Sequence, residues 1–192
     1  GMARQALKTL QLIDSESYDY NLRLIDAMLA VGKYGTSLHL LRQSEGVFAS
    51  NEVEFLLRVA EARIGLRDIG RASQSYQKIL DLDASNIDAT LGMIAIDAAT
   101  GSPERAEAGL LALLENDPEH LDTLLLLANV YLRQRRFEEA ESRLIEAISV
   151  LPSVDIFTQQ RAGLLRVLIR LLAFQGNSAE ALIYQNQLAA AF

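Results

Sequence analysis

Residues 121–154 read LDTLLLLANVYLRQRRFEEAESRLIEAISVLPSV, and the spacing of their apolar positions decides the fold. Leu124, Leu127, Ala128 and Tyr131 fall at i, i+3, i+4 and i+7, the stripe of an amphipathic helix. Arg135-Arg136 interrupt the stripe as a turn. Phe137 opens a second stripe through Ala140, Leu144, Ala147 and Ile148. Pro152 ends it, because proline cannot sit in a helix interior. This stretch is therefore two helices joined by a tight turn.

The same pattern recurs on either side. Ala72, Ala106 and Ala140 are spaced 34 residues apart, each followed four residues later by a large side chain: Tyr76, Leu110 and Leu144. Leu80, Leu114 and Ile148 follow another four residues on, and Pro118 and Pro152 are again 34 apart. Several columns in register define three contiguous segments, 53–86, 87–120 and 121–154. In the middle one the turn is Thr100-Gly101-Ser102-Pro103. Gly101 suits a helix C-cap, Ser102 an N-cap and Pro103 a first helical position. Weaker copies flank these: 18–51, with its turn at Gly32-Lys33-Tyr34 and Ser37 in the small place, and about 162–192, with Gly176 and Ala181. Seven added residues near Ser153–Arg161 predict a longer helix over 155–175. Residues 1–17 carry Ala3, Leu7, Leu10 and Asp14 in second-helix spacing, so they are either half a repeat or a lone capping helix.

These residues resemble the tetratricopeptide repeat, a helix pair of this period with small and large residues in fixed places. The match is best over 53–154. Leu124 stands where the family often has Trp, Leu127-Ala128 for its Leu-Gly pair and Tyr131 for its Tyr. Ile94 and Asp97 depart from the pattern. The resemblance implies an all-α fold, a right-handed superhelix (α-solenoid) of antiparallel helix pairs forming a single array over 1–192. It also implies a concave face lined by the first helix of each repeat. Transferred to this chain, that face holds Asp19, Leu22, Asp26, Glu54, Leu57, Glu61, Asp88, Leu91, Ala95, Asp122, Leu125, Asn129 and Arg133. Its floor would be apolar and its rim acidic, complementary to an amphipathic basic helix or an apolar peptide. The plainer alternative is that the leucines are core and the acids merely solvated. Some family members hold two carboxylates in a basic clamp. Asn129 fits one clamp place, but Leu57, Leu91 and Leu125 fill the basic ones, which disfavours that mode.

Composition narrows the function classes. Of 192 residues half are hydrophobic, enough for a full core. There is no Cys, so disulfides, thiolate metal sites and a Cys nucleophile are excluded. His39 and His120 lack any partner pattern and read as surface residues. Neither a catalytic constellation nor a metal or cofactor motif is visible, so the chain reads as a non-enzyme. Asp81-Leu82-Asp83-Ala84-Ser85 begins like a calcium loop, but Asn86 and Gly92 stand where Gly and Glu are required. Arg133, Arg135 and Arg136 could attract an anion, although cations near a helix C-terminus also stabilise it. The formal charge is −7, which disfavours nucleic acid as a partner. The charge is local: 81–122 holds ten acids and one base, Arg105, while 1–80 and 123–192 each sum to +1.

The expectation is a protein-interaction scaffold, of the sort found in bacterial secretion, pilus or envelope assembly. Two alternatives stand beside it. One is self-association through the terminal helices, with Leu164, Leu165, Leu168, Leu171 and Leu172 as the contact. The other is a regulatory appendage of a larger enzyme. No membrane insertion is expected, since no apolar run reaches spanning length. Gly1 before Met2 has the look of a cloning scar. Met2 as the native start implies the cytoplasm, whereas an upstream start leaves the periplasm open.

Overall fold

The computed structural model describes residues 2–10, 17–48, 50–151 and 158–190. Among these the chain is helical, with no strand. The helices are α1 (Met2–Leu10), α2 (Tyr18–Ala30), α3 (Tyr34–Gln43), α4 (Glu52–Gly65), α5 (Ile69–Leu82), α6 (Ile87–Thr100), α7 (Pro103–Asn116), α8 (Leu121–Arg133), α9 (Phe137–Val150), α10 (Thr158–Gln175) and α11 (Ser178–Ala190). A short 3₁₀ helix, Glu45–Phe48, lies between α3 and α4. Pro152, the expected stop of α9, lies outside the described residues, as do Asp14 and the first three residues of the helix expected over 155–175. Two compact units divide the chain, Gly1–Ile96 and Asp97–Phe192.

The first unit packs α1 on α2, α2 on α3 and α4, and α4 on α3 and α5. Its core joins Ile25, Leu29, Leu41, Phe48, Val59 and Ala62. Phe48, 1% exposed, meets Tyr18 edge-on at 5.1 Å and Phe55 at 5.7 Å. The 3₁₀ turn carries this ring inward. The second unit packs α8 on α7 and α9, and α10 on α9 and α11. Ala106, Ala140 and Ala147 are fully buried, as the small-residue columns require for close helix approach. Leu165, Leu168, Leu171 and Leu172 are buried as well. They therefore cannot form the exposed face foreseen for a second copy, because α10 spends them on α9 and α11.

One backbone conformation recurs at every intra-pair turn. Gly32 (φ +77°), Arg67 (+61°), Gly101 (+103°), Arg135 (+61°) and Gly176 (+84°) are left-handed. In four of them the left-handed N–H bonds the carbonyl three residues back: Gly32 to Leu29, Arg67 to Ile64, Arg135 to Leu132 and Gly176 to Ala173. In all five the next N–H reaches five residues back, as Asp68 to Arg63 and Ser102 to Asp97 do at 2.9 Å. This is the Schellman closure, which satisfies carbonyls the helix end would leave bare. A second column starts the first helices. Ser17, Asn51 and His120 are the N-caps of α2, α4 and α8, and Asn86 Oδ1 accepts from the Ala89 N–H at 3.0 Å.

Both the turns and the helix contacts can be tested by substitution. Arginine at a left-handed turn carries a steric cost that glycine avoids. Arg67→Gly and Arg135→Gly should each raise stability by about 0.5–1 kcal/mol, roughly 1–4 °C in Tm, and Gly101→Ala should lower it; thermal unfolding by circular dichroism reads both. Gly92 lies mid-helix, and a Cβ there would meet Cζ, Cε1 and Cε2 of the Tyr76 ring closer than van der Waals contact allows. Gly92→Ala, worth about +1 kcal/mol in an open helix, should therefore cost about 1–3 kcal/mol in a denaturant titration.

Candidate functional site

In the first unit the two first helices α2 and α4 are cross-linked by their side chains. Tyr18 Oη donates to Glu54 Oε2. Arg58 grips Asp26 with two hydrogen bonds, Nε to Oδ1 at 2.8 Å and Nη2 to Oδ2 at 3.2 Å, and reaches Glu54 Oε1 at 3.4 Å. Such a bidentate fork fixes orientation as well as charge. The hydrogen bond to Glu54, followed by burial, pushes the Tyr18 hydroxyl above its ordinary range.

Glu61 lies one turn beyond Arg58, without an ion-pair partner among the described residues. Burial first, then the Asp26 charge, pushes its carboxyl above the usual carboxylate range, with Arg58 opposing. Tyr76 is likewise raised, by burial and then by the charges of Glu61 and Asp88. Asp26 and Glu54 are thus tied directly to Arg58, Glu61 feels the charges of Asp26 and Arg58, and Glu61 and Asp88 both act on Tyr76.

The residues singled out by sequence are not equally placed. Glu54 is held by Tyr18 and Arg58. Leu57 is half-buried against the cluster of Leu56, Ile79 and Ala89. Asp88 is exposed and Ala95 half-buried, while Glu61 is exposed along its side chain but has its carboxyl partly screened from water by its neighbours. Leu91 is 9% exposed and so belongs to the core, not to an open floor. The cause is that α6 is apolar around most of its circumference and is buried on more than one side. In the second unit Asp122, Leu125, Asn129 and Arg133 follow one another at i, i+3, i+7 and i+11 along one face of α8. Leu125 is half-buried there and the other three are exposed.

Other sequence candidates resolve into structure. Arg136 bonds Glu107 at 2.6 Å and Glu139 at 2.9 Å, and its guanidinium lies 4.3 Å from the Tyr131 ring centre. Those carboxylates hold its pKa above the ordinary value. Tyr131 Oη also donates to Glu107, at 3.2 Å. Arg136 is therefore a bracket joining α7, α8 and α9, and is itself not free for an anion, whereas Arg133 and Arg135 are exposed. Asp83 accepts from the Ser85 N–H and hydroxyl at 3.0 and 2.7 Å, which draws its carboxyl below the ordinary range. It is a turn acid, not a calcium ligand. Asp97 meets Arg105 at 3.7 Å.

His120 corrects the surface reading. It is half-buried and caps α8: the Thr123 N–H donates to Nδ1 at 3.3 Å, and Thr123 Oγ1 lies 2.8 Å from the same atom. Its place 34 residues after Asn86 was the available signal. Among the described residues no group of three or more His, Cys, Asp or Glu side chains could hold a metal ion. No described helix is long and apolar enough to cross a membrane.

Neutralising Glu61 removes an unfavourable charge. Because its folded pKa is raised, the wild type loses stability as pH rises through the ordinary and then the folded value. Glu61→Gln should raise Tm by roughly 1–2 °C at pH 7, and the gain should vanish as pH falls below about 4.5, in paired melts across that range.

No protein-family model matches the chain. A 99-residue stretch is 31% identical to human General transcription factor 3C polypeptide 3, covering 52% of this chain and 11% of that much longer protein. Solved structures agree on the fold. A thermophilic TPR protein from Thermus thermophilus superposes with TM-score 0.70 over 91% of each chain, at 17% identity. MamA (41-end) from Desulfovibrio magneticus RS-1 gives 0.60 over 91% of this chain and 94% of that one, at 16% identity. With its helix pairs, left-handed turns and buried alanine columns, this chain has the all-α solenoid fold of the tetratricopeptide-repeat proteins.

Proposed function

We propose that this chain is a protein-interaction scaffold whose first helices bind a basic, amphipathic segment of a partner. The observation that carries the reading is the unbalanced charge around Glu61. Arg58 is already engaged by Asp26 and Glu54, and Glu61 beside them has no ion-pair partner among the described residues, so an incoming cation would find its charge unmatched. Within the first unit Leu57 supplies apolar contact, with Asp88 and Ala95 as further candidates; within the second, Leu125 does so on the α8 face that carries Asp122, Asn129 and Arg133. Binding of this kind uses pre-formed shape, apolar anchors and charge steering, and asks for no chemistry. Secretion, pilus assembly and envelope assembly are narrower forms of the same role, and the partner's identity decides among them.

Leu91 is unsuited to a test because it is core. The informative variants are the exposed acids and the half-buried leucine. Glu61→Lys with Asp88→Lys, and separately Leu125→Asp, should each weaken capture of a partner from the source cell by about tenfold or more while helicity is retained. Raised salt should weaken capture by the wild type and have less effect on the double lysine variant. Capture indifferent to all three substitutions would refute the reading.

A further inference from the structure

The helix that presents the acidic neighbourhood has another side. Taking 100° per residue, Glu52, Leu56, Val59 and Arg63 lie roughly opposite Glu54, Arg58 and Glu61 on α4. Behind them, wholly within the first unit, is a half-open cavity of about 580 Å³, within the usual range for a binding site. Its lining comes from α3, the 3₁₀ turn, α4 and α5. Leu38, Phe48, Phe55, Leu56 and Val59 make its floor.

The charge here runs against that of the whole chain. Arg42, Arg63 and Lys78 line the cavity together with Glu45 and Glu52. None of these five forms an ion pair within the unit's described residues. Arg63 is committed only to neutral acceptors, the Arg71 carbonyl at 2.9 Å and Ser75 Oγ at 2.8 Å. Burial, together with the nearby charges of Arg71 and Arg42, disfavours its charged form, and Asp68 offsets this in part. Arg42 and Lys78 are exposed at the rim. Three cations, one of them the half-buried Arg63, thus outnumber two carboxylates around an apolar lining, which favours an anion on an apolar carrier.

We propose that this cavity is a second docking site, which takes a partner segment carrying an acidic side chain beside apolar ones. Its polarity is the reverse of the Glu61 neighbourhood, so one helix would serve two segments of opposite charge. The site stands independently of the first-helix reading.

The test is selection of a displayed random twelve-residue peptide library on the full chain. Arg42→Glu, Lys78→Glu and the double variant serve as controls. Both side chains are exposed, so the variants should melt like the wild type. The expected result is enrichment of peptides that pair Asp or Glu with Leu, Phe or similar residues. Synthetic copies should lose at least about tenfold in affinity on the double variant and keep it on Glu61→Lys/Asp88→Lys. Enrichment of basic or uncharged sequences only, or binding unchanged on the double variant, would overturn the proposal. So would tight binding of decanoate that displaces the peptides equally from both proteins, or self-association that the double variant abolishes. Failure here leaves partner capture through Glu61, Asp88 and Leu125 untouched, so the two readings are separable.

Discussion

The left-handed residue that closes the first helix of each pair is the constraint on which the remaining structure depends. An α-helix leaves its last carbonyls without partners, and a second helix can start at once only if the turn supplies them. One residue with positive φ does this by presenting its own N–H and the next one backward. The chain then reverses in a few residues, which brings the two apolar stripes face to face. Where glycine takes the place, as at Gly32, Gly101 and Gly176, the backbone adopts it freely. At Arg67 and Arg135 the packing of the helix pair holds an unfavourable conformation, which shows how strongly the turn is imposed from outside.

That constraint made much of the fold legible. A period of 34 could be seen because a turn of fixed length joins helices of nearly fixed length, so small and large residues return in register. The interior of α5, α7 and α9 follows directly from the columns of Ala72, Ala106 and Ala140. Departures from the period were harder to read. The ring of Phe48 is central to the first unit, yet it lies after α3 has ended, where helical spacing says nothing. His120 looked isolated because its role is shared with Asn86 and Ser17 as a position, not as a residue type: imidazole, amide and hydroxyl can each accept the same N–H. The leucines of α10 were an error of another kind. An apolar stripe shows that a face is covered but not what covers it, and here α9 and α11 do.

The candidate site was legible only in outline. Helical spacing could place Glu54, Leu57 and Glu61 near one another on α4, but not distinguish their states. Glu54 and Asp26 are drawn into a lattice with Tyr18 and Arg58 that holds α2 to α4, whereas Glu61 just beyond is left to carry its charge alone. A carboxylate already forked by arginine offers little to an incoming cation, because its partner must first be displaced. Leu91 and Leu125 occupy matching places 34 residues apart, yet the first is core and the second half-buried. Periodicity equates positions, and burial then depends on what each neighbouring helix carries.

The distribution of charge changes in the same way once contacts are known. The acidic excess of 81–122 suggested one broad negative surface. Several of its members have local duties. Asp83 is bonded to Ser85, Glu107 to Arg136 and Tyr131, and Asp97 is paired with Arg105. Asp88 and Asp122 stand in the first turns of α6 and α8, where a helix favours negative charge on its own account. Subtracting these roles leaves a smaller but sharper electrostatic signal. The strongest case for a charged partner is then not where acids are most numerous. It is at Glu61, outside the acidic stretch, beside an arginine already shared by Asp26 and Glu54.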